Sequence, residues 1–329
     1  MQGYRAPLLT GLVALAVSWV LTPFVKSMAF KFGAVDDPKR DDRRIHKEPL
    51  ARWGGIAIYL GIVISLLIVL PFAFPVGSFP QYLIAMLVIG GGLVVFGALD
   101  DLKQYSAKLQ LLALLGAGVL VQLFYSPIGR IQIGSFVVPL SNPPHYIVLS
   151  WAAIPLTAIY IFVVTKTMDT IDGVDGLASG IATISAATLT VIAAYGEQPR
   201  VAIVAASIAG ASIGFLRHNY NPAKIIMGTG GAYILGFTLA CLSIVGALKT
   251  AAAVSLLIPM LVFGVPIFDA FWVIFRRWRN GVPITTADKR HVHHTLLGQG
   301  LTQRQTVWVL YTVAAVLSAV LILIVKMYA

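Results

Sequence analysis

The chain has 329 residues, 58% of them hydrophobic and only 11% charged, with a mean hydropathy of +0.86. A soluble domain carries about 25% charged residues, so the composition excludes an ordinary water-soluble enzyme and points to a bilayer as the solvent. The net charge of +11 could signal nucleic acid, but the bases gather on one side of the apolar runs, which is a topology signal and a feature of phosphate sites; no nucleic-acid partner is expected.

In chain order, hydropathy predicts about ten spans, at 8–30, 53–74, 80–99, 106–125, 147–165, 177–195, 200–217, 230–248, 251–275 and 305–327. The first run is longer than a signal-peptide core and leads to no cleavage site, so it reads as a span. Alternate connections are 31–52, 100–105, 166–176, 218–229 and 276–304; with Lys26 and the residues at their edges they hold 19 of the 24 Lys and Arg residues. Only Arg5, Arg130, Arg200, Lys249 and Lys326 lie on the other side. The positive-inside rule therefore predicts cytoplasmic charged connections and external termini. The fold class is an all-α polytopic integral membrane protein, a single transmembrane domain over 1–329. The external connection 126–146 contains "GRIQIGSFVVPL", whose alternation around a Gly-Ser step predicts a small β-hairpin. Cys241, the lone cysteine, sits in an apolar run and reads as a small core hydrophobe.

Acidic residues are more telling than basic ones. Eleven of 13 lie in or beside the cytoplasmic connections, although acids contribute little to membrane topology. Their gathering therefore reads as a site assembled at the membrane surface. A transporter would instead place ionisable groups near the midplane and show matching broken helices in two halves, and no internal repeat is visible.

Four stretches carry the chemistry. "ALDDLKQYSAK" puts Asp100 and Asp101 at a helix exit before Lys103 and Lys108. It reads either as solvated charges at a helix end or as a metal or general-base site beside cations that hold an anion. "TMDTIDGVDGLASG" spaces Asp169, Asp172 and Asp175 by three, within an arc of about 120° on a continuous helix; Gly173 and Gly176 predict that part of the stretch is loop. Acids at the start of the next span account for Asp175 and Asp172, but not for all three. "LRHNYNPAKIIMGTGGAY" is rich in bases and amides, Asn219 among them, and enters a Gly-rich turn whose amides could approach a phosphate. "FRRWRNGVPITTADKRHVHHTLL" brings Arg290, His291, His293 and His294 together. Without cysteines and among cations, these read as phosphate contacts rather than a zinc site. The first connection mixes Arg43, Arg44, His46 and Arg52 with acids, either as a surface ion-pair cluster or as part of the same site.

These segments, in order "RRIHKEPLARWGG", "DDLKQYSAK", "IDGVDGLASG", "NYNPAKIIMG" and "ADKRHVHHTLL", resemble the polyprenyl-phosphate N-acetylhexosamine-1-phosphate transferases of glycosyltransferase family 4. That family includes the enzymes that start teichoic-acid and O-antigen synthesis and the phospho-MurNAc-pentapeptide translocase; "PIFDAFWVIFRR" together with "ADKRHVHH" is similar to the teichoic-acid and O-antigen branch. The resemblance implies transfer of a UDP-N-acetylhexosamine 1-phosphate, GlcNAc by default, to undecaprenyl phosphate at the cytoplasmic face of the bacterial plasma membrane. The products would be a polyprenyl-diphosphate-sugar, which starts a cell-envelope glycopolymer, and UMP. Mg²⁺, or Mn²⁺, would offset the repulsion of two phosphates. Membrane lipids surround the chain, and many members form homodimers, although nothing in the sequence identifies an interface. Asp100 would orient or deprotonate the lipid phosphate with Asp101 beside it, and Asp172 and Asp175 would line the nucleotide and metal region. Lys103, Lys108, Lys166, Arg44, His46, Asn219, Arg290, His291, His293 and His294 would hold the substrates.

Two departures from the family pattern stand out. Thr229 occupies the place of a metal-binding Asp in the glycine turn, and Lys166 and Asp169 occupy the places of two Asn. The metal-facing set is then Asp169, Thr229 and Asp172, with Asp169 supplying the anionic ligand that Thr229 cannot. The rival readings are a family member that has lost catalysis and binds lipid or a partner, and a membrane transporter.

Overall fold

The computed structural model describes residues 4–38, 48–75, 77–127, 129–137, 146–247 and 292–328, with Gly264, Ile267, Phe268, Trp272 and Arg279. Among the described residues, eight helices are long and apolar enough to cross a membrane, and the chain is a multi-pass membrane protein. They are α1 (Arg5–Phe32), α2 (Gly54–Ala73), α3 (Gln81–Lys103), α5 (Ala153–Ile171), α6 (Leu177–Tyr195), α7 (Pro199–Asn219), α8 (Gly228–Ala247) and α10 (Gln303–Tyr328). Between α3 and α5 lies a shorter apolar helix, α4 (Ala107–Leu120), extended by one 3₁₀ turn. A short helix, α9 (Val292–Gly298), precedes α10. The span expected at 251–275 falls outside the described residues, apart from Gly264, Ile267, Phe268 and Trp272, which are helical.

Hydrocarbon leaves no partner for an unpaired backbone group, so the apolar runs fold as helices, and the sequence marks where several begin and end. Gly33 closes α1 in a left-handed turn that returns its N–H to Ala29 and Phe30. Pro199 sits in the first turn of α7, where its missing donor costs nothing. Helix α8 is the axis of the bundle: nearly all its side chains are buried, Cys241 among them, against α2, α3, α5 and α6. Helix α1 packs on α7 and α2 and turns Leu8, Leu12, Val20 and Phe24 outward. Glycines set the closest approaches. A Cβ on Gly97 would collide with Gly230, and one on Gly55 with Gly231, so α3, α8 and α2 meet backbone to backbone.

Two expectations are corrected. The acidic stretches do not begin in connections: α3 continues through Asp100 and Asp101, and α5 through Lys166 and Asp169. The chain also does not reverse at Gly134–Ser135. Ile133 N–H is taken by Thr157 Oγ1 at 3.0 Å, and Gly134 O accepts from Leu149 N–H at 2.9 Å. Ser135 therefore opens a strand, β5 (Ser135–Val137), paired antiparallel with β6 (Tyr146–Val148), while the tight turn joins β3 (Tyr125–Ser126) to β4 (Gly129–Arg130). A third pair, β1 (Val35–Asp36) with β2 (Leu50–Ala51), lies at the opposite end of the bundle, where α1 leads into α2.

Candidate active site

The end of the bundle formed by β1–β2, the end of α3 and the end of α5 gathers the acidic groups. The β-pair matters because it carries Arg52. Ala51 O accepts from Ile226 N–H at 2.9 Å, and the N–H groups of Gly54 and Gly55 reach Ile226 O and Met227 O. Trp53, in a left-handed conformation, donates its indole N–H to Ala98 O at 2.9 Å. The entry to α2 is thus tied to the entry of α8 and to α3, and Arg52 is held over the carboxylates.

Asp101 is buried, and its Oδ1 takes Arg52 Nε at 3.2 Å and Thr229 N–H at 3.1 Å. Its Oδ2 is buried and accepts no hydrogen bond among the described residues. Gly228, left-handed at φ +71°, faces that oxygen, and any Cβ there would collide with it. Asp100, also buried, is held from three elements. Its Oδ1 accepts from Tyr105 N–H at 2.8 Å and Gln110 Nε2 at 3.1 Å, and its Oδ2 from Thr229 Oγ1 at 3.0 Å and Gln110 Nε2 at 3.3 Å. Gln110 Oε1 in turn accepts from Lys166 Nζ at 2.9 Å, and Lys166 pairs with Asp169 Oδ2 at 2.6 Å. Lys166 Nζ also lies 5.9 Å from the centre of the Tyr233 ring.

Electrostatics bind these groups into one unit. Burial works against the Arg52 charge, but Asp101, Asp36, Asp172 and Asp169 outweigh it and raise its pKa above the usual arginine value. Burial, then Asp169, pushes the Asp172 carboxyl well above the usual carboxylate range, with Arg52 opposing. His293 is buried, and its Nε2 lies 3.2 Å from where a Cβ on Gly173 would be, so the histidine stretch reaches the turn that carries Asp172.

Other expected residues are placed differently. Asp175 Oδ2 accepts from Asn221 Nδ2 at 2.9 Å and Ala223 N–H at 3.1 Å, anchoring the connection from α7 to α8. Asn219 is buried with its amide engaged at both ends, by Ser179 Oγ at 2.9 Å and Ile225 O at 3.0 Å. Its geometry is that of a brace for the same connection. Lys103 and Lys108 are exposed at the rim. The glycine turn does not offer its first amide to an outside anion: Thr229 N–H goes to Asp101, and Gly230 and Gly231 serve helix packing. Arg44, His46, Arg290 and His291 lie outside the described residues, as does the side chain of His294.

Gln110 lies outside the charged motifs that mark the site in the sequence, Tyr105 is an uncharged residue within one of them, and Arg52 is one of several bases in its connection. Gln110 had a signal of its own, as the only polar side chain between Lys108 and Gln122 in an apolar helix.

The carboxylates suit a hard divalent cation, for which Mg²⁺ prefers oxygen ligands and keeps places for water and substrate phosphate. Asp101 Oδ2, buried without a hydrogen bond among the described residues and with Asp172 in electrostatic contact, fits such an ion. No three His, Cys, Asp or Glu side chains among the described residues group closely enough to hold one by themselves. Thr229 and Asp169, both expected to face the metal, bond Asp100 and Lys166 respectively.

The pattern of glycosyl transferase family 4 matches residues 81–247, which include α3 to α8. The chain is 34% identical over 308 residues, 93% of its length and 82% of the other's, to a probable undecaprenyl-phosphate N-acetylglucosaminyl 1-phosphate transferase of Bacillus subtilis. It is 30% identical to a decaprenyl-phosphate N-acetylglucosaminephosphotransferase of Mycolicibacterium smegmatis, over 92% of this chain and 78% of that one. An undecaprenyl-phosphate alpha-N-acetylglucosaminyl 1-phosphate transferase of Escherichia coli is 28% identical, over 90% and 77%.

Proposed function

From the premise that this chain belongs to glycosyl transferase family 4, we propose that it transfers N-acetylglucosamine 1-phosphate from UDP-N-acetylglucosamine to undecaprenyl phosphate. A lipid phosphate oxygen attacks the sugar-bearing phosphorus, the bond bridging the two phosphorus atoms breaks, and UMP leaves. The observation that carries the reading is the convergence of Asp100, Asp101, Arg52, Lys166, Asp169 and Thr229 from separate elements at one end of the bundle.

Both oxygens of Asp100 already accept hydrogen bonds, and a phosphate monoester with a second pKa of about 6 is largely dianionic at neutral pH. Asp100 therefore orients the lipid phosphate and need not take a proton from it. Arg52 and Lys166 offset the charge of the two phosphates, and the exposed Lys103 and Lys108 draw them in from the rim. Asp101 and Asp172 would hold Mg²⁺, which would supply positive charge to neutralise the diphosphate. Asp169 would be the further anionic ligand, through the carboxylate oxygen that does not pair with Lys166. His293, against Gly173, contacts the sugar-phosphate side.

We place this end of the bundle in the bacterial cytoplasm, with both chain termini outside, on the distribution of Lys and Arg. The lipid-linked product would start a cell-envelope polymer such as teichoic acid or O-antigen. Purified protein incubated with labelled UDP-GlcNAc, undecaprenyl phosphate and Mg²⁺ should release UMP and label the lipid, and both signals should vanish with EDTA. A chain that binds the lipid phosphate but releases no UMP from any UDP-N-acetylhexosamine overturns the reading.

A further inference from the structure

We propose that Gln110 is a positioning residue for this transfer, a link through which Lys166 on α5 fixes the orientation of Asp100 on α3. The inference rests on the reaction proposed above and concerns a residue outside the acidic and basic motifs.

The chemistry of the amide makes the link directional. Gln110 accepts from Lys166 with Oε1 at 2.9 Å and donates to Asp100 with Nε2, at 3.1 Å to Oδ1 and 3.3 Å to Oδ2. The flipped amide would set its NH₂ against an ammonium and its oxygen against a carboxylate, two repulsions at once, so only one orientation is compatible with these neighbours. Lys166 cannot swing freely, because Asp169 Oδ2 holds it at 2.6 Å and the Tyr233 ring lies beside it. A cation on the acceptor end of an amide polarises the donor end and strengthens the bond beyond it. Asp100 thereby receives the influence of Lys166 without an ion pair, and keeps its own charge facing the substrate. Tyr105 N–H and Thr229 Oγ1 grip Asp100 on separate oxygens. Gln110 reaches both oxygens and so sets the rotation of the carboxylate plane.

Gln110→Glu separates positioning from packing, because it conserves size and still pairs with Lys166 but turns an acceptor toward Asp100. Gln110→Ala and Gln110→Glu should each lower kcat about tenfold or more, as misplacement of a reacting group does, with KM for UDP-GlcNAc changed by less than about threefold. Lys166→Met should give a similar loss, and Gln110→Ala combined with Lys166→Met should be no worse than the weaker single variant. A Gln110→Glu enzyme with kcat within about twofold of the wild type, or losses that multiply in the double variant, overturns the proposal. A wild type that releases no UMP defeats the reaction rather than the link. The link is then read from melting temperatures of the wild type, Gln110→Ala, Lys166→Met and their double variant, where additive shifts overturn it.

Discussion

Gly228 shows how a single side chain's absence shapes the site. Its backbone is left-handed, at φ +71°, and its missing Cβ leaves room for Asp101 Oδ2. Gly228→Ala should cost about 1–2 kcal/mol from backbone handedness alone and displace Asp101 as well. A melting temperature and UMP release both close to wild type would contradict this. Asp172 makes a pH prediction. Its carboxyl is raised in the fold, so above about pH 4 the unfolded chain ionises first and gains ground until the folded carboxyl ionises too. In metal-free buffer, Asp172→Asn should therefore gain melting temperature relative to wild type, and the gain should grow from pH 4 toward neutrality. A constant difference across that range would count against it. Asp169→Asn tests the ligand role proposed for that residue; near-normal Mg²⁺-dependent turnover would refute it. At this scale the sequence disclosed the carboxylates and hid their partners. Asp100, Asp101, Asp169 and Asp172 were visible as charges in an apolar chain. Thr229 bonding Asp100 across 129 positions of sequence, and Gln110 bonding it across ten, follow from helix packing that no local pattern records.

The element that governs the site is the seam between α3 and α8. Gly97 faces Gly230, and Gly230 lies 2.8 Å, measured from its would-be Cβ, from Val94 O. That approach brings Thr229 within reach of both Asp100 and Asp101. Gly97→Val should push the helices apart at a cost of about 1–3 kcal/mol, typical of overpacking, and should reduce turnover more than that loss of stability explains; a variant with normal turnover would show that the seam does not set the site. Helix positions were legible from apolar runs: α6 begins and ends where hydropathy put it, at 177 and 195. The ends of α3 and α5 were not. Hydropathy falls at Asp100 and Lys166, whereas each helix continues to Lys103 and Ile171, because carboxylates bonded to neighbouring elements do not need water to end the helix. That extra turn gives the acidic groups a rigid base.

Across the whole molecule, composition and the length of the apolar runs were enough to read a polytopic helical protein, while the packing order was not readable. That α8 is the axis, and that α1 packs on α7, depends on glycine contacts between distant segments: a Cβ on Gly210 would collide with Gly11, and one on Gly214 with Leu15. Helix α1 starts at Arg5, away from the acidic end, and α10 starts beside it, with Gln303 bonded to Asn221. The described chain ends therefore share the face opposite the site, where Glu197 also lies between α6 and α7.

Cys241 gives that orientation a direct reading. It is the chain's one cysteine and is wholly buried in α8. The native protein is thus silent to thiol reagents, and any thiol introduced at its surface reports alone. In intact cells, a membrane-impermeant maleimide should label Glu197→Cys at once and Lys224→Cys only after permeabilisation. The opposite order would invert the proposed topology. Spin labels and fluorophores can be set on either face of the bundle in the same way, with no native residue to remove first.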